Sequence, residues 1–521
     1  MRSKINSEIC NSTRPPRSSE HSPAIRASHN LRGNVNKPLR IMKFGGTSVG
    51  DAACIRNVVE IIRAASRESD IVVVVSAMAG VTNKLIVAAT QSESGNRDAV
   101  TTLFKQLGEQ HNSAASALLE SPLDLHGKMN ELLQEGDSLC QETVALCQLT
   151  PCASDSISSL GERLSAPLVA AVLSERGLAS KAIDATELIT TDSRHGAADP
   201  LFDRTRQNCQ MRLRPLLQQG IVPVVTGFIG ATAEGVRTTL GRGGSDYSAT
   251  ILGAALDADE VIIWTDVEGL MTADPRVVSD ARTISEISYR EAAELAYFGA
   301  KVLHPKTLRP VLQSRIPLQI RNTFAPEQAG TKITPAGPSN VRMKAVASIS
   351  DVALITVRGR DLVNVTNALG QALSSPSSPE AEVMLISPSP SGKDTCLVVR
   401  SSVATALAEA LLREFGDGTA HQHAEQIKID STVAVVTVVG QHVCTSSDMI
   451  ARVFSALARE NVNVLPMAQT SSECNFSYVV ARKDLKAALV TTHREFQLGE
   501  IAHQSMEVAC AIDGQATWLY E

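Results

Sequence analysis

Aromatic side chains are scarce. Phe, Trp and Tyr make up 3% of the 521 residues, too few for platforms that stack nucleobases, so the core must rest on Val, Ile, Leu and Ala. Positive charge is not in excess either: the formal net charge is −6, which argues against general affinity for nucleic acid or an anionic membrane. None of the ten cysteines forms a C-x-x-C pair. Reduced thiols in a cytoplasmic protein are therefore expected, rather than a disulfide framework or a zinc site. His421 and His423 lack a third histidine or a nearby cysteine and read as a solvated loop, so no metal site is expected. The longest apolar run, Ile71 to Val81, is too short to cross a bilayer. Also missing are a G-x-x-x-x-G-K-[ST] loop, a G-x-G-x-x-G turn, and the apolar N-terminal segment that secretion would need.

The length predicts two to four domains. Residues 1–39 are rich in Arg, Ser, Asn and Pro without apolar periodicity and read as a disordered extension. Their basic excess allows a transit-peptide reading, against which Glu8 and Glu20 count. From Leu39 an apolar strand runs into Gly45-Gly46, and a helix is expected over about 51–65. Such a strand–turn–helix junction suits phosphate, with Lys43 beside it. A plain βα turn carrying a surface lysine fits that segment equally well. Ile71–Ser76 reads as a buried strand, and Lys181–Asp184, Ile221–Thr226 and Glu260–Trp264 as further strands alternating with helices, which predicts a mostly parallel α/β sheet. Polar turns follow Lys43, Ser76, Thr226 and Trp264, where ligands of such sheets bind. Glu162 lies near the start of an apolar helix, either as a partner of the helix dipole or as a buried ligand for an ammonium group.

Gly241-Arg-Gly-Gly-Ser-Asp246 is the densest polar glycine loop in the chain. Glycine costs backbone entropy, and here it is expected where a ligand approaches the main chain. Residues 326–344, with Pro and Gly throughout Pro326–Ser339, read as a linker. Beyond it a pattern occurs twice: Ala353-Leu-Ile-Thr-Val-Arg-Gly is echoed by Ala434-Val-Val-Thr-Val-Val-Gly. Each copy opens a strand–helix–strand–strand–helix–strand unit, expected over 345–425 and 426–521.

Lys43-Phe-Gly-Gly-Thr-Ser-Val, the Gly241–Asp246 loop, Trp264-Thr-Asp-Val-Glu-Gly with Asp274-Pro-Arg, and Phe298-Gly-Ala-Lys-Val-Leu-His-Pro occur in one order over residues 40–325. Jointly they resemble the aspartokinases of the amino-acid kinase family, and the two repeats resemble the tandem ACT domains that follow that kinase. The resemblance implies an α/β kinase domain with a mostly parallel sheet sandwiched by helices, then two α+β ACT domains of βαββαβ form. It implies transfer of the γ-phosphoryl group of ATP, with Mg²⁺, to the side-chain carboxylate of L-aspartate, the first step towards lysine, threonine and methionine.

Carried onto these positions, the resemblance makes Lys43 and Asp246 catalytic, with Gly45, Gly46 and Thr47 lining the phosphoryl path. Thr82, Glu162, Arg242, Gly243, Gly244 and Ser245 would hold the acceptor. Thr265, Asp266, Met271, Arg276 and Lys301 would surround the nucleotide, although many relatives have an aromatic residue at the place of Met271. Asp448, Gln469 and Glu473 match an amino-acid effector site in the second repeat. The first repeat has Pro388 and Gly392 at the matching places, so altered ligand contacts are expected there. A homodimer, or a dimer of dimers, through the ACT domains is implied, and no second catalytic domain is expected. Two other readings stand beside this one: a kinase of a different acid acceptor, and an inactive kinase domain serving an amino-acid sensor.

Overall fold

The computed structural model describes residues 37–299, 302–338, 343–358, 362–374, 382–388, 394–415, 427–444, 446–469 and 473–500. Lys301, His421, His423, Gly392 and nearly all of residues 1–39 lie outside them. Mostly apolar strands build the first sheet. They are β1 (Leu39–Phe44), β2 (Asp70–Val75), β3 (Ser180–Ile183) and β4 (Val222–Thr226), then, after a hairpin of β5 (Ile229–Ala231) and β6 (Arg237–Thr239), β7 (Glu260–Thr265), β8 (Glu286–Ser288), β9 (Leu318–Asn322) and β10 (Thr331–Thr334). Eight of these make one sheet in the order β3-β4-β2-β1-β7-β9-β10-β8. Its first six strands run parallel, and β10 is antiparallel to β9.

Helices cover both faces because successive strand residues point to opposite sides. Met42 and Val73 share a core with Ile55, Leu85, Leu107, Met129, Ile157 and Leu164, from helices α1 (Ala52–Ser66), α2 (Val81–Glu93), α3 (Arg97–Leu118), α4 (Leu123–Leu146), α5 (Pro151–Ser158) and α6 (Leu160–Glu175) respectively. Their neighbours Ile41, Val72 and Val74 face the other way, onto α7 (Phe202–Gln218), α8 (Gly244–Leu256), α9 (Tyr289–Phe298) and α10 (Pro305–Ser314). The expected parallel α/β sheet is thus present, and the strands fall close to their expected positions. Within the stretch expected to be linker, Thr331–Thr334 instead forms β10, paired to both β9 and β8. Its glycine serves a tight turn: Gly330 has φ +70, and a Cβ there would lie 2.0 Å from the Ile320 carbonyl oxygen.

The second sheet is antiparallel and six-stranded. It comprises β11 (Met343–Arg358), β12 (Val383–Pro388), β13 (Asp394–Arg400), β14 (Ile427–Gly440), β15 (Val464–Gln469) and β16 (Asn475–Ala481), in the order β12-β13-β11-β14-β16-β15. Helices α11 (Leu362–Ser374) and α12 (Ser401–Glu414) pack on the first unit, and α13 (Ser447–Arg459) and α14 (Leu485–Glu495) on the second. The units were expected one after the other, but they interleave. Val352–Val357 pairs with the first half of β14, whereas Met343–Ile349 pairs with its second half and completes the later unit. Pro388 ends β12 at the edge of the sheet, where a missing N–H donor costs no ladder bond. Phe298, at the end of α9, is buried among Val352, Leu385, Val398 and Val479 and so joins the two sheets.

Candidate active site

Because β4, β2, β1 and β7 are neighbours, the four polar turns noted in the sequence converge at one edge of the parallel sheet. At the end of β1, Gly45 N–H donates to the Trp264 carbonyl oxygen (3.0 Å), tying the β1 turn to the end of β7. A Cβ on Gly46 would lie 2.9 Å from the Ala77 carbonyl oxygen, so the β1 and β2 turns touch through a position that suits only glycine. Next in the β1 turn, Ser48 shares a 2.7 Å hydrogen bond with Thr323, beyond β9. Thr47 stays exposed.

Lys43 points into this edge from β1, 7% exposed, and its Nζ is 2.5 Å from Asp246 Oδ1. Asp246 stands in the first turn of α8, whose N-cap Gly243 has φ +68. A Cβ on Gly243 would come within 2.9 Å of His304 Cβ, and one on Gly244 within 2.6 Å of the Phe228 ring. Two of the loop's glycines therefore pack directly against neighbouring segments. Ser245 is buried and Arg242 exposed. The charge of Arg242 reaches His304, whose imidazole is held below its ordinary value, first by burial and then by Lys306 and Arg242.

Glu162, in the first turn of α6, is 3% exposed, and its Oε2 has no hydrogen-bond partner. Burial pushes its carboxyl up to about 8, against the opposing pull of the Ala77 and Glu162 N–H groups and of the Lys43 charge. A buried carboxyl with an unsatisfied oxygen is costly, and a ligand ammonium would relieve that cost. Thr82 lies half-buried in the first turn of α2.

The structure thus brings Lys43, Asp246, Glu162 and the glycine turn together. The remaining candidates divide. Thr265 ends β7 and donates to Asp266 (3.2 Å), while Met271 accepts from the Thr283 hydroxyl. Arg276 makes a two-pronged pair with Asp274 and borders a cleft of about 510 Å³ against Lys486 and Arg494 of the α14 helix. In the second sheet, Asp448 is exposed in the first turn of α13 and Gln469 exposed at the end of β15. Glu473 adopts φ +59 and lies 3.6 Å from His442, itself at φ +54. Among the described residues no group of three or more His, Cys, Asp or Glu side chains could hold a metal, and no helix is long and apolar enough to cross a membrane.

Sequence reasoning missed Asp155. It is 3% exposed in α5 and accepts from the His195 ring (2.8 Å), Gly196 N–H, Thr239 N–H and the Thr239 hydroxyl (2.6 Å). No motif spacing marks it, since its partners lie 40 and 84 residues away.

Charged groups gathered at the carboxyl ends of parallel strands define an α/β enzyme domain, here joined to a regulatory-type antiparallel sheet. The profile of the amino acid kinase family matches residues 38–322, and that of the ACT domain matches residues 436–496. Lysine-sensitive aspartokinase 3 of Escherichia coli K12 is 31% identical over 458 residues, covering 87% of this chain and 98% of that protein. The chloroplastic bifunctional aspartokinase/homoserine dehydrogenase 2 of Arabidopsis thaliana is 33% identical over 468 residues, covering 88% of this chain and 50% of that one. The chain therefore spans about half the length of the plant relative. Among solved structures, E. coli aspartokinase III in complex with aspartate and ADP superposes with a TM-score of 0.72 at 29% identity, covering 88% of this chain and 99% of that one. The chain belongs to the amino acid kinase family.

Proposed function

We propose that the chain is an aspartate kinase, transferring the γ-phosphoryl group of ATP to the side-chain carboxylate of L-aspartate to give 4-phospho-L-aspartate. The observation that carries this reading is the Lys43–Asp246 pair beside the buried, under-satisfied Glu162. Together they offer a cation for phosphate and a seat for an ammonium at one sheet edge. The E. coli structure solved with aspartate and ADP supports the same pairing of ligands.

The acceptor carboxylate is ionised at pH 7, its ordinary pKa being about 4, so the reaction needs no general base. His304 fits that view: its Nδ1 accepts the Lys306 N–H and caps α10. Lys43, steered by Asp246, neutralises charge on the moving phosphoryl group, while Gly45, Gly46 and Thr47 line its path. Glu162 takes the α-ammonium and Arg242 grips the α-carboxylate in a planar fork, with Thr82, Gly243, Gly244 and Ser245 closing the seat. Thr265, Asp266, Met271, Arg276 and Lys301 surround the nucleotide. Mg²⁺ enters as part of the MgATP substrate; it needs only one or two protein carboxylates beside phosphate oxygens, and Asp266, directly after β7, is the carboxylate candidate on the nucleotide side.

Asp448, Gln469 and Glu473 receive an amino-acid effector, and the chain pairs with a second copy through its ACT sheet. The decisive assay traps the acyl phosphate with hydroxylamine over a panel of acids. Hydroxamate formed with aspartate is expected. Product with glutamate and none with aspartate would replace the acceptor, and effector binding without any ATP turnover would make the chain a sensor.

A further inference from the structure

We infer that Asp155, which makes none of the contacts assigned above to substrate, is a positioning residue that sets the width of the acceptor seat. This inference rests on the aspartate-kinase reading. Asp155 sits in the second half of α5, the short helix directly before the one that carries Glu162. Its main-chain carbonyl accepts the Ser159 N–H (3.0 Å), and α6 follows at once, with Glu162 in its first turn. From α5 its carboxylate reaches across to two other segments. The oxygens accept His195 Nδ1 (2.8 Å) and Gly196 N–H (3.0 Å) from the loop before α7, and the N–H (3.2 Å) and hydroxyl (2.6 Å) of Thr239, the last residue of β6.

Thr239 is two residues from Gly241, where the Arg242 turn begins. The loop held by Asp155 also supports that turn from beneath. Ala198 N–H donates to the Thr239 carbonyl (2.9 Å), and a Cβ on Gly241 would come within 3.0 Å of the Gly196 carbonyl oxygen. One buried carboxylate therefore ties the Glu162 helix to the Arg242–Asp246 turn. These are the two sides proposed to take the acceptor's ammonium and carboxylate. The nucleotide segment beyond β7 has no part in this tie. Loss of the clamp is expected to let the two sides drift apart, which weakens aspartate binding and leaves ATP binding intact.

Steady-state kinetics on the full chain tests this. Asp155→Ala should raise the KM for aspartate roughly tenfold or more, with the KM for ATP changed less than about twofold. Asp155→Asn keeps one accepting oxygen and can reverse the Thr239 hydroxyl bond, so it should recover most of the loss. Thr239→Val removes one donor at constant shape and should give about a threefold rise; if Asp155→Ala does not fold, this variant decides. An unmoved aspartate KM in folded protein, or parallel rises in both KM values, overturns the inference. Wild-type protein that releases no ADP in response to aspartate sinks the parent reading instead.

Discussion

Two glutamates contrast the halves of the molecule. Glu162 is 3% exposed, lacks a partner for one oxygen and has its carboxyl pushed up to about 8. The Glu473 side chain is 56% exposed, in a left-handed turn facing His442. The parallel sheet buries Lys43 and Glu162 before any ligand arrives, so affinity at those two groups comes from preorganisation and from relief of a buried cost. The antiparallel sheet leaves Asp448, Gln469 and Glu473 exposed. An effector gains little from such groups unless something else, such as a second copy of the chain, covers them. On this view a catalytic seat is built within one chain, and a regulatory seat by assembly.

The largest expected effect tests the enclosed half. Lys43→Ala should lower turnover by about a thousandfold or more with its melting curve intact; near-normal activity in the folded variant would refute the site. Glu162→Gln comes next. The neutral side chain cannot pair with an ammonium, so the aspartate KM should rise about a hundredfold. Stability should move the other way. The folded pKa of Glu162 lies above the usual carboxylate value, so its contribution is complete below about 4.5 and is lost as pH rises through about 8. At pH 9 the Gln variant should therefore melt higher than wild type, by a margin that vanishes in acid. A lower melting temperature at pH 9 would mean that Glu162 is satisfied in the free protein.

A smaller effect concerns pH and the wild type alone. Binding an ammonium at Glu162 requires the carboxylate, so aspartate binding near pH 7 should release a proton, and its KM should fall up to about tenfold per unit as pH rises towards 8. Calorimetry in buffers of different ionisation enthalpy measures the proton directly; no buffer dependence would break the contrast at its centre. The smallest effect belongs to the exposed half. Asp448→Ala or Glu473→Ala should raise the inhibition midpoint of the amino-acid effector by several-fold, and sedimentation should show that the effector favours paired chains. Inhibition untouched by both substitutions would move the effector seat elsewhere.

Much of the enclosed half could be read from sequence. Runs such as Ile71-Val-Val-Val-Val75 carry their own signature of two-sided burial, whereas the glycines of the 241–246 loop, expected to make room for a ligand, also make room for His304 and Phe228. Pairing across distance could not be read. β10 is four residues long inside a Pro/Gly-rich stretch, and only its register with β9 and β8 makes it a strand. Asp155 looks like any aspartate in a short helix until His195 and Thr239 are brought to it. The repeats could be read as two units, but their similarity says nothing about which strand closes which unit.

That closure bears on how the protein can be made and cut. Because β11 contributes its first half to the later unit and its second half to the earlier one, the opening strand of the later unit leaves the ribosome long before the partner that will cover it. A fragment starting between the repeats would carry a bare edge along Val435–Gly440, the kind of edge that recruits foreign strands. The repeats read as two modules in sequence but cannot be separated as modules. A cut after β10 that carries β11 whole is the division this topology tolerates.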